Sequence, residues 1–224
     1  MMDVEIIRIR RKRKYMVLRL RKDGTFSLRV SSYVTRTQID SFLDKNKEWM
    51  DRVKEKFDRA SQMKKSAKFE DGEKRPLFGG EYEIQIVKGR RCLHFDGTFH
   101  LSENCRDNGR QVFRNYYRNE LKAYLQERLV HFSSIMNCTY SSFSVGSATQ
   151  KWGSCSNREK LRFTLILAMA PRDVIDYVII HELVHTKISS HGKNFWMEVE
   201  KFMPDWRARR KWLRDNRDRL LSYV

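Results

Sequence analysis

The chain has little proline or glycine: 3 and 10 residues among 224. No glycine-rich phosphate-cradling segment occurs, which removes the P-loop nucleotide-binding classes. The four cysteines, Cys92, Cys105, Cys138 and Cys155, form no C-x-x-C pair. Zinc ribbons and thioredoxin-like redox motifs are therefore excluded. No apolar run approaches the roughly 20 residues that span a bilayer. The longest, residues 163–171, suits a strand or a buried segment. Residues 1–15 are charged rather than apolar, so no secretory leader is read there. A cytoplasmic protein with reduced thiols is expected. Acidic residues are outnumbered, 28 against 46 basic ones, for a formal net charge of +18. Such an excess predicts attraction to nucleic acid, anionic lipid or acidic protein, or else a basic solvated surface.

What is present is enough for a core: 40% of the residues are hydrophobic and 12% aromatic. The length suits one large domain, or a core domain with a smaller one appended. Residues 4–30 read as a small antiparallel β-meander, with the turn signal Lys22-Asp23-Gly24-Thr25. The basic run at 10–14 falls at its first turn. Residues 35–63 read as one long helix capped by Thr37, with Ile39, Phe42, Leu43, Trp49, Met50, Val53 and Phe57 on its apolar stripe. Residues 61–76 read as a linker, which places a domain boundary between 1–76 and 77–224. Strand-like segments follow to about residue 101, then a second long helix over 112–136. A strand is predicted over 143–149, a turn at Trp152-Gly153-Ser154-Cys155-Ser156, and a β-rich run over 161–167 that Pro171 stops. A helix over 174–188 is predicted next, capped by Asp173, with Asp176 in its first turn. Two more helices, over 194–202 and from 204 onward, complete the chain. The second carries a dense Arg/Lys series.

The helix over 174–188 contains His181-Glu182-Leu183-Val184-His185. Positions four apart on a helix lie one above the other on one face. His181 and His185 can thus present two imidazoles to one ion, with Glu182 beside them as general base for a bound water. Val174, Ile175, Val178 and Ile179 embed the helix. His191 follows six residues after His185 and offers a third ligand, with Gly192 allowing a sharp turn of the backbone there. Three protein ligands leave a fourth tetrahedral position open, as catalysis requires. Glu198 and Glu200 compete for the third place; His191 is preferred as the nearest residue of suitable chemistry. Three of the chain's six histidines fall within residues 181–191. His94, His100 and His131 have no such clustering and are read as structural. Tyr177, one turn before His181, is read as a buried helix residue.

These stretches resemble the YgjP-like family of metal-dependent hydrolases, related to the SprT-like and Spartan-like zinc metallopeptidases. The resemblance covers nearly the whole chain. It includes the Trp152-Gly153-Ser154-Cys155 signature, the helix Asp176 through His185, and the segment Ser190-His191-Gly192-Lys193-Asn194-Phe195-Trp196. It extends to Met203-Pro204 with Trp212-Leu213, to Phe42-Leu43 with Trp49, and to Leu77-Phe78-Gly79-Gly80-Glu81-Tyr82. It departs at Val184, where a smaller residue or Cys is expected, and at Thr164, where a polar amide is expected. The resemblance implies Zn²⁺ held by His181, His185 and His191, with Glu182 catalytic.

The resulting expectation is an α+β fold. A zincin-like catalytic domain packs its active-site helix on an antiparallel or mixed sheet, beside a small N-terminal β-rich subdomain with one long helix. The expected activity is zinc-dependent hydrolysis, with a water activated by Glu182 attacking a peptide carbonyl of a peptide or protein substrate. Two other readings stay open: hydrolysis of a nucleotide phosphoanhydride, and a basic nucleic-acid-associated protein with a structural or vestigial zinc. The Trp152–Cys155 turn carries no evident chemistry. The run over 161–167 is read as a sheet edge to which an extended substrate could add.

Overall fold

A computed structural model describes residues 4–10, 13–21, 23–66 and 69–223. The chain divides into two compact units, 1–66 and 67–224. The boundary lies ten residues before the one read from composition, because the helix runs further and a strand begins at Lys74.

The first unit holds strands β1 (Val4–Ile9), β2 (Met16–Leu20) and β3 (Phe26–Ser31), then helices α1 (Arg36–Lys45) and α2 (Lys47–Ser66). The sheet is mixed, not the expected meander. β3 is central, parallel to β1 and antiparallel to β2. β3 buries Phe26, Leu28 and Val30 on one face and Ser27 and Ser31 on the other, and such a strand belongs inside a sheet rather than at its edge. The basic run at 10–14 lies partly outside the described residues, as does Lys22 of the turn. The expected single helix is two helices, separated at Asn46, whose side chain binds the Phe42 carbonyl. Its cap is Thr35, not Thr37. The Thr35 hydroxyl accepts from Gln38 N, and the Gln38 side chain accepts from Thr35 N, a capping box.

The second unit is built from strands β4 (Lys74–Leu77), β5 (Gly80–Val87), β6 (Leu93–Phe95) and β7 (Phe99–Ser102), ordered β4-β5-β7-β6. Helix α3 (Gly109–Ile135) follows. Next come β8 (Ser142–Gly146), β9 (Gly153–Cys155) and β10 (Lys160–Thr164), ordered β8-β10-β9. Residues 165–169 leave the strand as a short 3-10 turn, so the β-rich run stops earlier than predicted. Helices α4 (Arg172–Val184), α5 (Lys193–Phe202) and α6 (Trp206–Leu221) close the chain. The architecture is α+β. The expectation of four reduced thiols is corrected, because Cys92 and Cys105 form a disulfide with Cα atoms 5.5 Å apart. They flank the β6–β7 pair, where Ser102 N also binds the Cys92 carbonyl. Cys138 and Cys155 are free.

Two long elements form the core. α3 buries Phe113, Tyr117, Leu121, Leu125 and Leu129, a stripe at four-residue spacing that marks one face of a helix. α4 is buried almost all round, with Val174, Ile175, Val178, Ile179, Ile180, Leu183 and Val184 inside. It packs against α3, α5, α6 and β9. Among the described residues no helix is long and apolar enough to cross a membrane.

Candidate metal centre

α4 begins earlier and ends earlier than the sequence predicted. Pro171 occupies the cap position, suited by its fixed φ and missing N–H. Asp173 is therefore inside the first turn, where its carboxylate accepts from Val174 N at 2.9 Å. Asp176 falls one turn later and faces α3 instead. It accepts Tyr124 Oη–H at 2.9 Å and Arg128 Nε and a terminal nitrogen at 3.0 and 2.8 Å. That clamp fixes α4 against α3 one turn below the histidines.

His181 and His185 project from the end of α4, and His191 returns from the loop before α5. His191 Nε2 lies 3.1 Å from Nε2 of His185 and 3.1 Å from Nε2 of His181. Tetrahedral zinc with Zn–N bonds of about 2.0–2.1 Å separates its ligand nitrogens by roughly 3.3 Å. The spacing of the triad fits that requirement. The proton inventory fits as well. His185 Nδ1 sits 3.1 Å from the Ile188 carbonyl, the arrangement in which Nδ1–H donates and the Nε2 lone pair is free for a metal. Burial, and then the neighbouring His185, His191 and Arg210, push His181 down to about 3, so it stays neutral. Burial likewise lowers His185. Three imidazoles converging on one point are a ligand set for a borderline-soft divalent cation. Phe195, fully buried on α5, lies with its ring 4.9, 4.6 and 4.7 Å from those of His181, His185 and His191. It forms an apolar side to the cluster that no reading of ligand spacing had singled out.

Among the described residues these three histidines are the one such cluster. Glu198 and Glu200, the competing ligands, are engaged elsewhere, with Lys201 at 2.6 Å and Arg207 at 2.8 Å. His100 binds Asp96 at 3.0 Å. His94 and His131 lie outside the cluster as well. The chain does bend at Gly192, the cap residue of α5, but its φ of −73° is open to any residue, so the turn does not require a glycine. Tyr177 is buried, and that burial pushes its hydroxyl up to about 12.

Glu182 is 4% exposed, and its Oε2 has no hydrogen-bond partner among the described residues. Burial pushes its carboxyl up to about 8, against the pull of Lys151. A divalent cation close by favours the ionised form. The side chain lies directly against Gly153 of β9. A Cβ at Gly153 would meet Glu182 Oε1 at 2.5 Å and Cγ at 2.7 Å. The Trp-Gly-Ser-Cys turn thus borders the site, a role its sequence did not disclose.

β9 is also the open edge of its sheet. The run at 161–167 is not, because β10 lies between β8 and β9. Leu161, Phe163 and Thr164 are buried, which places β10 in the middle, whereas edge strands are kept short, as β9 is. Thr164 N binds the Trp152 carbonyl and Ser156 N the Lys160 carbonyl, both at about the usual length. By the alternation of an antiparallel pair, the backbone groups of Gly153 and Cys155 point to the free edge.

The family model described as YgjP-like, metallopeptidase domain, matches residues 14–216, covering the triad, Glu182, β9 and most of both units. No curated protein and no solved structure matches the chain.

Proposed function

The chain belongs to the YgjP-like metallopeptidase family, and from that premise we propose that it is a zinc-dependent peptidase of zincin-like design. His181, His185 and His191 hold the ion, and Glu182 is the general base. The observation that carries this reading is the convergence of three Nε2 atoms next in sequence to a buried carboxyl whose Oε2 has no hydrogen-bond partner among the described residues.

Bound zinc supplies a Lewis acid that acidifies water toward a pKa of about 7 and polarises the attacked carbonyl. The protein supplies the rest. Glu182 accepts the proton of the attacking water and hands it to the leaving amine. Gly153 keeps that carboxyl close by having no side chain of its own. His185 is held in one tautomer by the Ile188 carbonyl. Phe195 keeps water from one side of the triad. The edge of β9 supports a peptide as substrate, since an extended chain adds there as a further strand beside Glu182.

The test joins metal analysis to activity. The purified wild type and Glu182→Gln should each carry about one zinc per chain, while Glu182→Gln loses at least ~100-fold in peptide hydrolysis, the lower range for a general base. A wild type that holds no zinc after reconstitution overturns the assignment.

A further inference from the structure

Helix α6 carries most of the basic residues at the C-terminal end, and nearly all of them are engaged. Arg207 pairs with Glu200 at 2.8 Å, and Arg209 with Asp173 and Asp205 at 2.7 Å each. Lys211 and Arg214 share Asp215, and Arg219 meets Glu81. Arg217 donates to the Thr149 carbonyl. This series is therefore a poor polyanion patch, because its charge is largely spent within the fold. Arg210 is different. Among the described residues it has no carboxylate within ion-pair reach.

Its position is also specific. The Arg210 guanidinium lies 5.1 Å from the centre of the Trp196 ring. Trp196 in turn lies 5.8 Å from the rings of both His181 and His191. Trp196 is stacked on Trp206 at 4.1 Å and 14°, so the platform under Arg210 is rigid. On the β9 side, Lys151 immediately precedes Trp152 and Gly153, and it too has no carboxylate partner among the described residues. The triad thus has a cation seated on an aromatic ring that borders two of its histidines, while Glu182 is buried. A planar guanidinium held on an aromatic face matches a carboxylate bidentately.

We propose that the metal centre selects peptides with a carboxylate near the cleaved bond, and that Arg210, seated on Trp196, receives it. The proposal rests on the peptidase reading. The carboxylate can belong to an acidic side chain or to a free chain terminus; both offer the same two oxygens.

Binding separates this proposal from the chemistry. Zinc-loaded Glu182→Gln keeps peptides intact, and Trp fluorescence reports their dissociation constants. The probes are three alanine pentapeptides: one blocked at both ends with a central Glu, its Gln counterpart, and an uncharged one with a free C-terminal carboxylate. At least one carboxylate probe should bind about tenfold tighter than the Gln peptide, the size of one charge-assisted contact. Which of the two does so identifies the source. Adding Arg210→Gln should bring the ratio to near one, and Arg210→Lys should restore part of it. Matched zinc content and melting temperature show that the variants are folded. A ratio unaltered by Arg210→Gln, an equal loss for all three peptides, or no binding of any probe at millimolar concentration overturns the proposal. Wild-type hydrolysis of the same peptides is measured separately, so a failed peptidase reading shows as binding without cleavage.

Discussion

Gly153 and Glu182 occupy one another's space. The glycine stands where any Cβ would lie 2.5 Å from the carboxyl oxygen of the glutamate and 2.8 Å from its carboxyl carbon. The glycine is not there for backbone freedom, since it is absent from the residues with positive φ. It is there for close approach. The strand at the free edge of its sheet is thereby the strand against which the Glu182 carboxyl rests.

Gly153→Ala should therefore be a catalytic lesion with metal retained. The conflict reaches Cγ, at 2.7 Å, and not just the mobile end of the side chain. Glu182 is buried and has little room to turn. A displacement approaching 1 Å costs up to ~100-fold in rate, and overpacking costs about 1–3 kcal/mol of stability. Steady-state kinetics and zinc stoichiometry on the same preparation decide it. Full activity in Gly153→Ala would show that the carboxyl has another resting place.

Much of the site could be read from spacing, and the reasons differ by residue. His181 and His185 are held by helix geometry alone, which the i, i+4 rule captures. His191 comes beside them because the chain reverses directly after α4. The places of Gly153, Phe195 and Arg210 around the histidines are not legible in spacing, because each lies across a tertiary contact that no local period encodes. Element type was clearer than element end. α4 is capped at Pro171 rather than Asp173, which leaves both aspartates for other work. The β1-β3-β2 order was missed because pairing partners depend on which strand buries two faces. The Cys92–Cys105 bridge is not legible in the sequence, because the two cysteines are 13 residues apart and meet only through the β6–β7 pair.

The three ligands should contribute together. His181→Ala and His191→Ala each remove one of three converging nitrogens, and outer-shell changes alone cost ~10–100-fold in metal affinity. Each variant should lose more than ~100-fold, read by competition with a zinc chelator. His191 comes from an exposed loop, so its variant should keep the wild-type fold by circular dichroism. Near-wild-type affinity in His191→Ala would return the third place to another residue.

The thiols should divide into two classes. Alkylation without reductant, followed by peptide mass mapping, should find Cys92 joined to Cys105. Cys138 and Cys155 should be free but slow to react near pH 7. Burial raises both above the usual thiol value, and for Cys155 the Glu182 charge adds to it. The reactive species is the thiolate, so raising a thiol's pKa lowers its fraction at neutral pH and speeds labelling only as pH climbs. Rapid labelling of Cys155 at pH 7 would contradict this placement and reopen a chemical role for it.

Asp176→Asn tests whether the clamp between α3 and α4 carries net stability. The carboxylate accepts from Tyr124 and twice from Arg128, and it is 14% exposed against 26% for the arginine. Hydrogen bonds to a charged group contribute about 1.5–3 kcal/mol, so the variant should lose ~2 kcal/mol in urea unfolding. Tyr124→Phe removes one of the three bonds and should cost about 1 kcal/mol. The two residues are each other's partners, so the double variant should lose less than the sum of the single losses. Strict additivity would mean that the bond between Tyr124 and Asp176 carries no coupling energy. A midpoint unchanged in Asp176→Asn would mean that the buried apolar face of α4 fixes the metal helix without the clamp.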